Sequence, residues 1–191
     1  MKTLIGTMGK FYRGIVLCFT VLFATQSHAV ELVIGEEIIE PGIHFIFEGA
    51  VKDTITPAHY HLEESKTHVH IEARVNWAAD EDSIPEGTPA GGFVGYLVIT
   101  AEVINPKTGA IANVDLVPHI NLVDNLHYAR NMALPGEITD KYDVIFNVMP
   151  PPEYTLSFHK DWVTQYGEKL FEKKSFIYKG VDFEEIARAS R

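Results

Sequence analysis

Hydrophobic and polar residues alternate along several short stretches of the chain. In the stretch 67–77, every second residue is apolar and most of the residues between them are polar. The apolar set is Val69, Ile71, Ala73, Val75 and Trp77, and the opposite set is His68, His70, Glu72 and Arg74. Because successive side chains of a strand point to opposite faces, this alternation predicts a half-buried strand. Similar patterns predict strands at 31–39, 43–51, 93–104, 110–117, 142–148 and 171–179.

Proline and glycine separate these strands. Pro41-Gly42 predicts a turn between the first two strands, and residues 105–109 predict a second hairpin. Residues 79–92 and 150–167 are predicted to be loops, and only residues 182–189 have a helical composition. Short strands with proline- and glycine-rich turns are typical of sandwiches. We therefore predict an all-β fold with an antiparallel β-sandwich in a single domain.

The N-terminal residues have the pattern of a secretory signal peptide. Lys2, Lys10 and Arg13 precede an apolar run at 15–24, and Ser27-His28-Ala29 offers small residues for cleavage. An uncleaved membrane anchor is the alternative, but spanning a bilayer requires about 20 apolar residues. The sequence thus predicts a signal peptide at 1–29, a mature domain at 30–191 and a periplasmic location.

The charge of the chain restricts its partners. With 16 basic and 26 acidic residues, the formal net charge is −10. Phosphate-rich nucleic acids and anionic lipid surfaces favour basic proteins, so we expect no nucleic-acid partner and no direct membrane insertion. The single cysteine, Cys18, lies in the predicted signal peptide. A disulfide framework and a multi-thiolate metal site are therefore excluded for the mature chain.

Histidines are the most informative chemical feature. The sequence has nine, and eight of them follow residue 29. His59 and His61 form one H-x-H pair, and His68 and His70 form another, with Glu72 on the same predicted strand face as His70. Imidazole and carboxylate groups bind zinc, copper and iron. Spacing alone leaves open whether these residues bind metal or are ordinary polar surface residues.

Several segments resemble the periplasmic high-affinity iron-transport protein family. They are His70-Ile71-Glu72-Ala73, Pro85-Glu86-Gly87, Tyr96-Leu97-Val98-Ile99, Leu116-Val117-Pro118-His119, Asp124-Asn125-Leu126-His127-Tyr128 and the strand 142–146. Their order, over about residues 35–183, carries the resemblance better than any single motif. The resemblance implies an immunoglobulin-like β-sandwich, a homodimer, and a partnership with an inner-membrane iron permease.

The resemblance also implies a metal site. Its five ligands would be His70, Glu72, His119, His127 and His159, with His119 in the place of the family's methionine. A thioether favours Cu(I), whereas imidazole is less selective and suits Cu(II), Zn(II) or Fe(II). The implied cofactor is therefore a copper or iron ion, with zinc or manganese as further options. His59, His61 and His68 are additional to the family pattern and could form a second or entry site.

Two other classes of function remain open from the sequence. One is a copper metalloenzyme on a similar sandwich, although the mature chain lacks the cysteine of blue-copper sites. The other is a sandwich for adhesion or partner binding without a metal. The sequence contains no G-x-S-x-G motif. We therefore expect a binding protein rather than an enzyme, with redox handling of iron through copper left open.

Overall fold

The computed structural model describes residues 31–190, and the predicted signal peptide at 1–29 lies outside this range. The described chain has eight strands, β1 (Glu31–Ile39), β2 (Ile43–Ala50), β3 (Val69–Trp77), β4 (Val98–Ile104), β5 (Ile111–Asn121), β6 (Asn125–Met132), β7 (Lys141–Met149) and β8 (Lys174–Asp182). It also has two helices, α1 (Lys160–Tyr166) and α2 (Glu184–Arg188). Short 3-10 turns are formed by Ala58–Tyr60, Glu64–Lys66 and Glu81–Ser83. None of the helices in 31–190 is both long and apolar enough to cross a bilayer.

The strands pair in the order β1-β2-β3-β6-β5-β4-β7-β8, and all these pairings are antiparallel. The long strand β5 joins the two layers, because its first half pairs with β4 and its second half pairs with β6. The predicted all-β, immunoglobulin-like antiparallel sandwich is therefore confirmed. The layer that contains β2, β3, β6 and the end of β5 carries the histidines discussed below.

Aromatic and β-branched side chains fill the space between the layers. Phe47 stacks on Phe146 with ring centroids 4.1 Å apart, and this contact joins β2 to β7 across the core. The alternation predicted for β3 is confirmed, since Val69, Ile71 and Val75 belong to the core. Burial of these apolar faces supplies the main driving force for folding. It also fixes the register that places His70 and Glu72 on the opposite face of β3, where they too are buried, so the prediction of a half-buried strand is wrong for this part of β3.

The predicted strand 93–104 is wrong in its first half, because regular pairing begins only at Val98. Tyr96 has a positive φ of 67°, which is incompatible with a continuous strand. The buried hydroxyl of Tyr128 holds this segment by donating to the Val94 carbonyl at 2.8 Å and accepting from the Leu97 amide at 3.1 Å. The apolar residues there are buried in an irregular segment rather than in a strand.

Two elements were absent from the sequence prediction. Helix α1 lies inside the predicted loop 150–167, and β6 occupies a stretch for which we expected a loop between His119 and His127. The sequence of β6, NLHYARNM, has few β-branched residues, so its propensity for a strand is low. Strand β5 also continues through Pro118 to Asn121, beyond its predicted end at 117. His119 and His127 therefore lie on paired strands and not in a loop.

Candidate metal centre

Three neighbouring strands place four of the five predicted ligands on one face of the sheet. His70 and Glu72 are two residues apart on β3, so they share a face. His119 on β5 lies directly opposite His127 on β6, and β6 pairs in turn with β3. The face is buried here, with Glu72 exposed by only 3% and His127 by only 2%. Polar groups buried to this degree require partners.

The inner part of the site consists of His70, Glu72 and His127. One potential ligand atom from each residue lies within 4.8 Å of the other two. Donors around one ion at 2.0–2.1 Å span up to about 4.2 Å. Small side-chain rotations would therefore bring all three onto a single ion.

His70 is oriented by Asn131 of β6. The Asn131 amide nitrogen donates to the backbone carbonyls of Asp53 at 2.8 Å and Leu62 at 3.1 Å. Its side-chain oxygen therefore faces His70, whose Nδ1 lies 2.8 Å away and donates to it. A neutral imidazole that donates through Nδ1 carries its lone pair on Nε2. This hydrogen bond fixes His70 in the tautomer that a metal site requires.

The other two histidines have the same tautomer for a similar reason. His119 Nδ1 lies 2.8 Å from the Val117 carbonyl, and His127 Nδ1 lies 3.1 Å from the Asn125 carbonyl. Since a carbonyl only accepts, both Nδ1 atoms must donate. Each of these imidazoles therefore presents an unprotonated Nε2 when it is neutral.

Glu72 and His127 form a neutral hydrogen-bonded pair. Their Oε2 and Nε2 atoms are 3.2 Å apart. Burial raises the pKa of Glu72 to about 8, with the nearby Glu48 adding to the effect, and burial lowers the pKa of His127. Both shifts favour the uncharged forms of the two groups, in which the carboxylic acid donates to the imidazole. A bound cation would replace this proton.

Arg74, two residues after Glu72 on β3, has a structural partner. Its Nη2 donates to Glu48 Oε1 at 2.7 Å, and its Nε donates to Oε2 of the same carboxylate at 2.5 Å. Asp124 lies 3.9 Å from its Nη1. The guanidinium is therefore engaged with carboxylates, and its positive charge is offset beside the candidate cation site.

A cavity of about 750 Å³ opens beside the histidines. Its walls include His70, His119 and His127, and one side is formed by the segment 53–61. The volume greatly exceeds that of a single ion, so a hydrated cation can reach the three imidazoles, whereas Glu72 does not border the cavity. His61 lies on this wall, with its ring centroid 5.0 Å from that of His119.

The remaining histidines are placed outside the inner group. His159 is exposed and precedes α1, in a surface depression formed with Lys160, Asp161, Thr164 and Gln165, none of which borders the 750 Å³ cavity. His59 is exposed and contacts the Tyr60 ring at a tilt of 40°, and His68 accepts a hydrogen bond from the Leu134 amide at 3.1 Å. His61 was predicted only as part of an optional second or entry site, and its H-x-H spacing with His59 was the one sequence signal for it.

The fold and the buried donor group together define a β-sandwich protein with a metal-binding role. The sequence matches the family model described as "Fe²⁺ transport protein" over residues 28–184, and the chain belongs to this family. Its predicted resemblance to iron-transport proteins is thereby confirmed. No curated protein matches the sequence.

Solved structures with the same fold include proteins of two bacteria. FetP of uropathogenic Escherichia coli strain F11, expressed in the periplasm, is 20% identical with a TM-score of 0.63, covering 79% of this chain and 95% of FetP. Copper-reconstituted P19 of Campylobacter jejuni is 25% identical with a TM-score of 0.64, covering 78% of this chain and 94% of P19. A copper-bound variant of FetP matches with a TM-score of 0.63 at 20% identity, covering 80% of this chain and 99% of that one.

Proposed function

We propose that this protein binds a divalent copper or iron ion in the periplasm and serves iron uptake as the partner of an inner-membrane iron permease. The single observation that carries the proposal is the convergence of His70, Glu72 and His127, with His119 beside them, on one buried face. Membership of the Fe²⁺ transport protein family supplies the biological context. The copper bound by P19 and FetP motivates copper as the first ion to test.

The donor chemistry supports a site that binds and releases its ion. The imidazoles of His70 and His127 and the Glu72 carboxylate suit Cu(II), Zn(II) or Fe(II), with His119 as a further ligand when no second ion is bound, and the mature chain offers no thiolate. The cavity keeps the donors accessible, whereas a structural site is closed on all sides. Binding and transfer, rather than catalysis, is the activity we propose.

Two further features belong to the proposal. We place the protein in the periplasm because of the predicted signal peptide at 1–29, and we propose a homodimer. His159 remains a proposed ligand whose participation depends on that dimer, because within one chain it lies in a different surface depression.

Metal titration of the metal-free protein tests the proposal. We expect stoichiometric binding of Cu(II), and of at least one of Fe(II), Mn(II) and Zn(II), measured by calorimetry with competing chelators. Replacing His127 with alanine removes an inner donor and should weaken binding at least about tenfold, as losses around metal sites commonly do. Binding should also weaken as the pH falls below about 8, because the cation must displace the Glu72 proton, and weaken further once the imidazoles, whose pKa values are lowered by burial, become protonated.

His44→Gln is the matched control. His44 is bonded to Glu36 on β1, at 2.7 Å, and belongs to neither the inner group nor the cavity. This variant should bind metal as the wild type does. Failure of the wild type to bind any of these ions stoichiometrically, or equal affinities for wild type and His127→Ala, would reject the proposed site.

A further inference from the structure

Two ring nitrogens at the cavity wall are buried without a hydrogen-bond partner among residues 31–190. They are Nδ1 of His61 and Nε2 of His119. Leaving a buried polar atom unpaired costs about 1–3 kcal/mol, so native proteins rarely do so. Because His119 donates through Nδ1 to Val117, its Nε2 carries a lone pair. Such an atom is satisfied by a hydrogen-bond donor or by a cation.

The two rings meet edge to face and are close enough to act together. Their centroids are 5.0 Å apart and their planes are inclined by 72°. The same His119 ring lies 5.3 Å from His70 and 5.9 Å from His127. His119 thus stands between His61 and the inner donors, and the imidazoles form a continuous series from the loop to the buried group.

The backbone on both sides of His61 is fixed by β6. The Tyr60 carbonyl accepts a hydrogen bond from Arg130 Nη1 at 2.7 Å, and the Leu62 carbonyl accepts one from Asn131 Nδ2 at 3.1 Å. The His61 amide closes a 3-10 turn on the Ala58 carbonyl at 3.3 Å. The position of this side chain is therefore built into the fold, and does not result from an untethered loop.

We propose that His61 and His119 form an outer binding position for a divalent cation such as Zn²⁺ or Cu²⁺, from which the ion passes to His70, Glu72 and His127. The outer position has two imidazoles and leaves the remaining coordination sites to water. It therefore binds more weakly than the inner group. This inference deepens the proposed function, on which it rests for the inner destination of the ion.

Zn²⁺ titration against a chromophoric chelator tests the outer position. The wild type should bind two ions per chain, one tightly and one more weakly. His61→Gln should lose the weaker ion, or weaken it at least about tenfold, as loss of one of two ligands implies, and should keep the tight ion. His59→Gln is the control, because His59 is exposed, contacts the Tyr60 ring and does not line the cavity.

A second titration with Co²⁺ reports the ligands directly, since its visible absorption changes with the coordinating atoms. His61→Gln should alter only the spectrum that develops with the second ion. A single Zn²⁺ ion in the wild type, or a weaker ion unaffected in His61→Gln, would overturn the outer position. The proposed function has a separate indicator, because Glu72→Gln should weaken the tight ion whether or not the weaker one exists.

Discussion

At the scale of single residues, hydrogen bonds to two backbone carbonyls and one side-chain amide orient the three histidines of the site. The Nδ1 atoms of His119 and His127 donate to carbonyls two residues earlier on their own strands. His70 donates instead to the Asn131 side chain. These partners select the tautomer in which Nε2 is free of a proton. A cation therefore has to displace only the proton shared by Glu72 and His127.

The raised pKa of Glu72 predicts how the stability of the metal-free protein depends on pH. The pKa of this carboxyl is about 4.5 in the unfolded chain and about 8 in the folded chain, so the carboxyl favours the folded state only while it is protonated. Its contribution is complete below about pH 4.5 and is lost as the pH rises towards 8. Between pH 5 and 7.5, the wild type should lose on the order of 3 kcal/mol relative to Glu72→Gln. Urea denaturation at both pH values measures this difference.

His119 and His127 change the stability with pH in the direction opposite to Glu72, and the two effects must be separated. Their lowered pKa values mean that stability is lost as the pH falls through the histidine range. Because both variants contain these histidines, their effect largely cancels in the comparison. If the stability difference between wild type and Glu72→Gln stays constant from pH 5 to 7.5, the carboxyl does not titrate in this range.

At the scale of elements, alternation was enough to predict most of the sandwich. The apolar faces of β3 and β7 are read directly from the sequence, as is the turn at Pro41-Gly42. Strand β6 escaped prediction because one of its buried faces carries the polar residues His127 and Asn131, and the strand contains no β-branched residue, so neither alternation nor propensity marks it. The signal that placed His119 and His127 together came from family resemblance. Their cross-strand pairing was available only from the structure.

The segment 53–67 depends on β6 for its position, and Asn131 is the main link. The Asn131 side chain donates hydrogen bonds to the carbonyls of Asp53 and Leu62, and its oxygen accepts one from His70. We predict that Asn131→Leu loosens the segment and weakens metal binding by about 10- to 100-fold, the usual cost of losing such a partner. Trypsin cleavage at Lys66 should become faster, which mass spectrometry would detect.

Asn76→Leu is the matched control for this prediction. Asn76 lies on β3 and holds a different loop, through a hydrogen bond to the Gly91 carbonyl at 2.9 Å. This variant should leave metal affinity and cleavage at Lys66 unchanged. Equal metal affinities in Asn131→Leu and the wild type would show that the amide does not orient His70 for binding.

At the scale of the whole molecule, exposed large apolar residues occur on several elements, and one group of them lies beside the site. The β5–β6 hairpin carries four of them, namely Ile120, Leu122, Val123 and Leu126. Leu122 is fully exposed and Val123 is 85% exposed, which is unusual for neighbouring large apolar side chains. Ile120 also borders the cavity. A subunit packed on this hairpin would bury the apolar group and restrict access to the donors.

The proposed homodimer therefore has a specific test at this hairpin. Introducing Leu122→Asp together with Val123→Asp would place two charges in the contact, and burying an unpaired charge is strongly unfavourable. We expect a dimer for the wild type and a monomer for the double variant, measured by sedimentation velocity over a concentration series. Ile177→Asp is the control, since Ile177 is 60% exposed on β8, outside this hairpin, and its variant should remain dimeric. A dimeric double variant would move the interface elsewhere, and a monomeric wild type would exclude the homodimer.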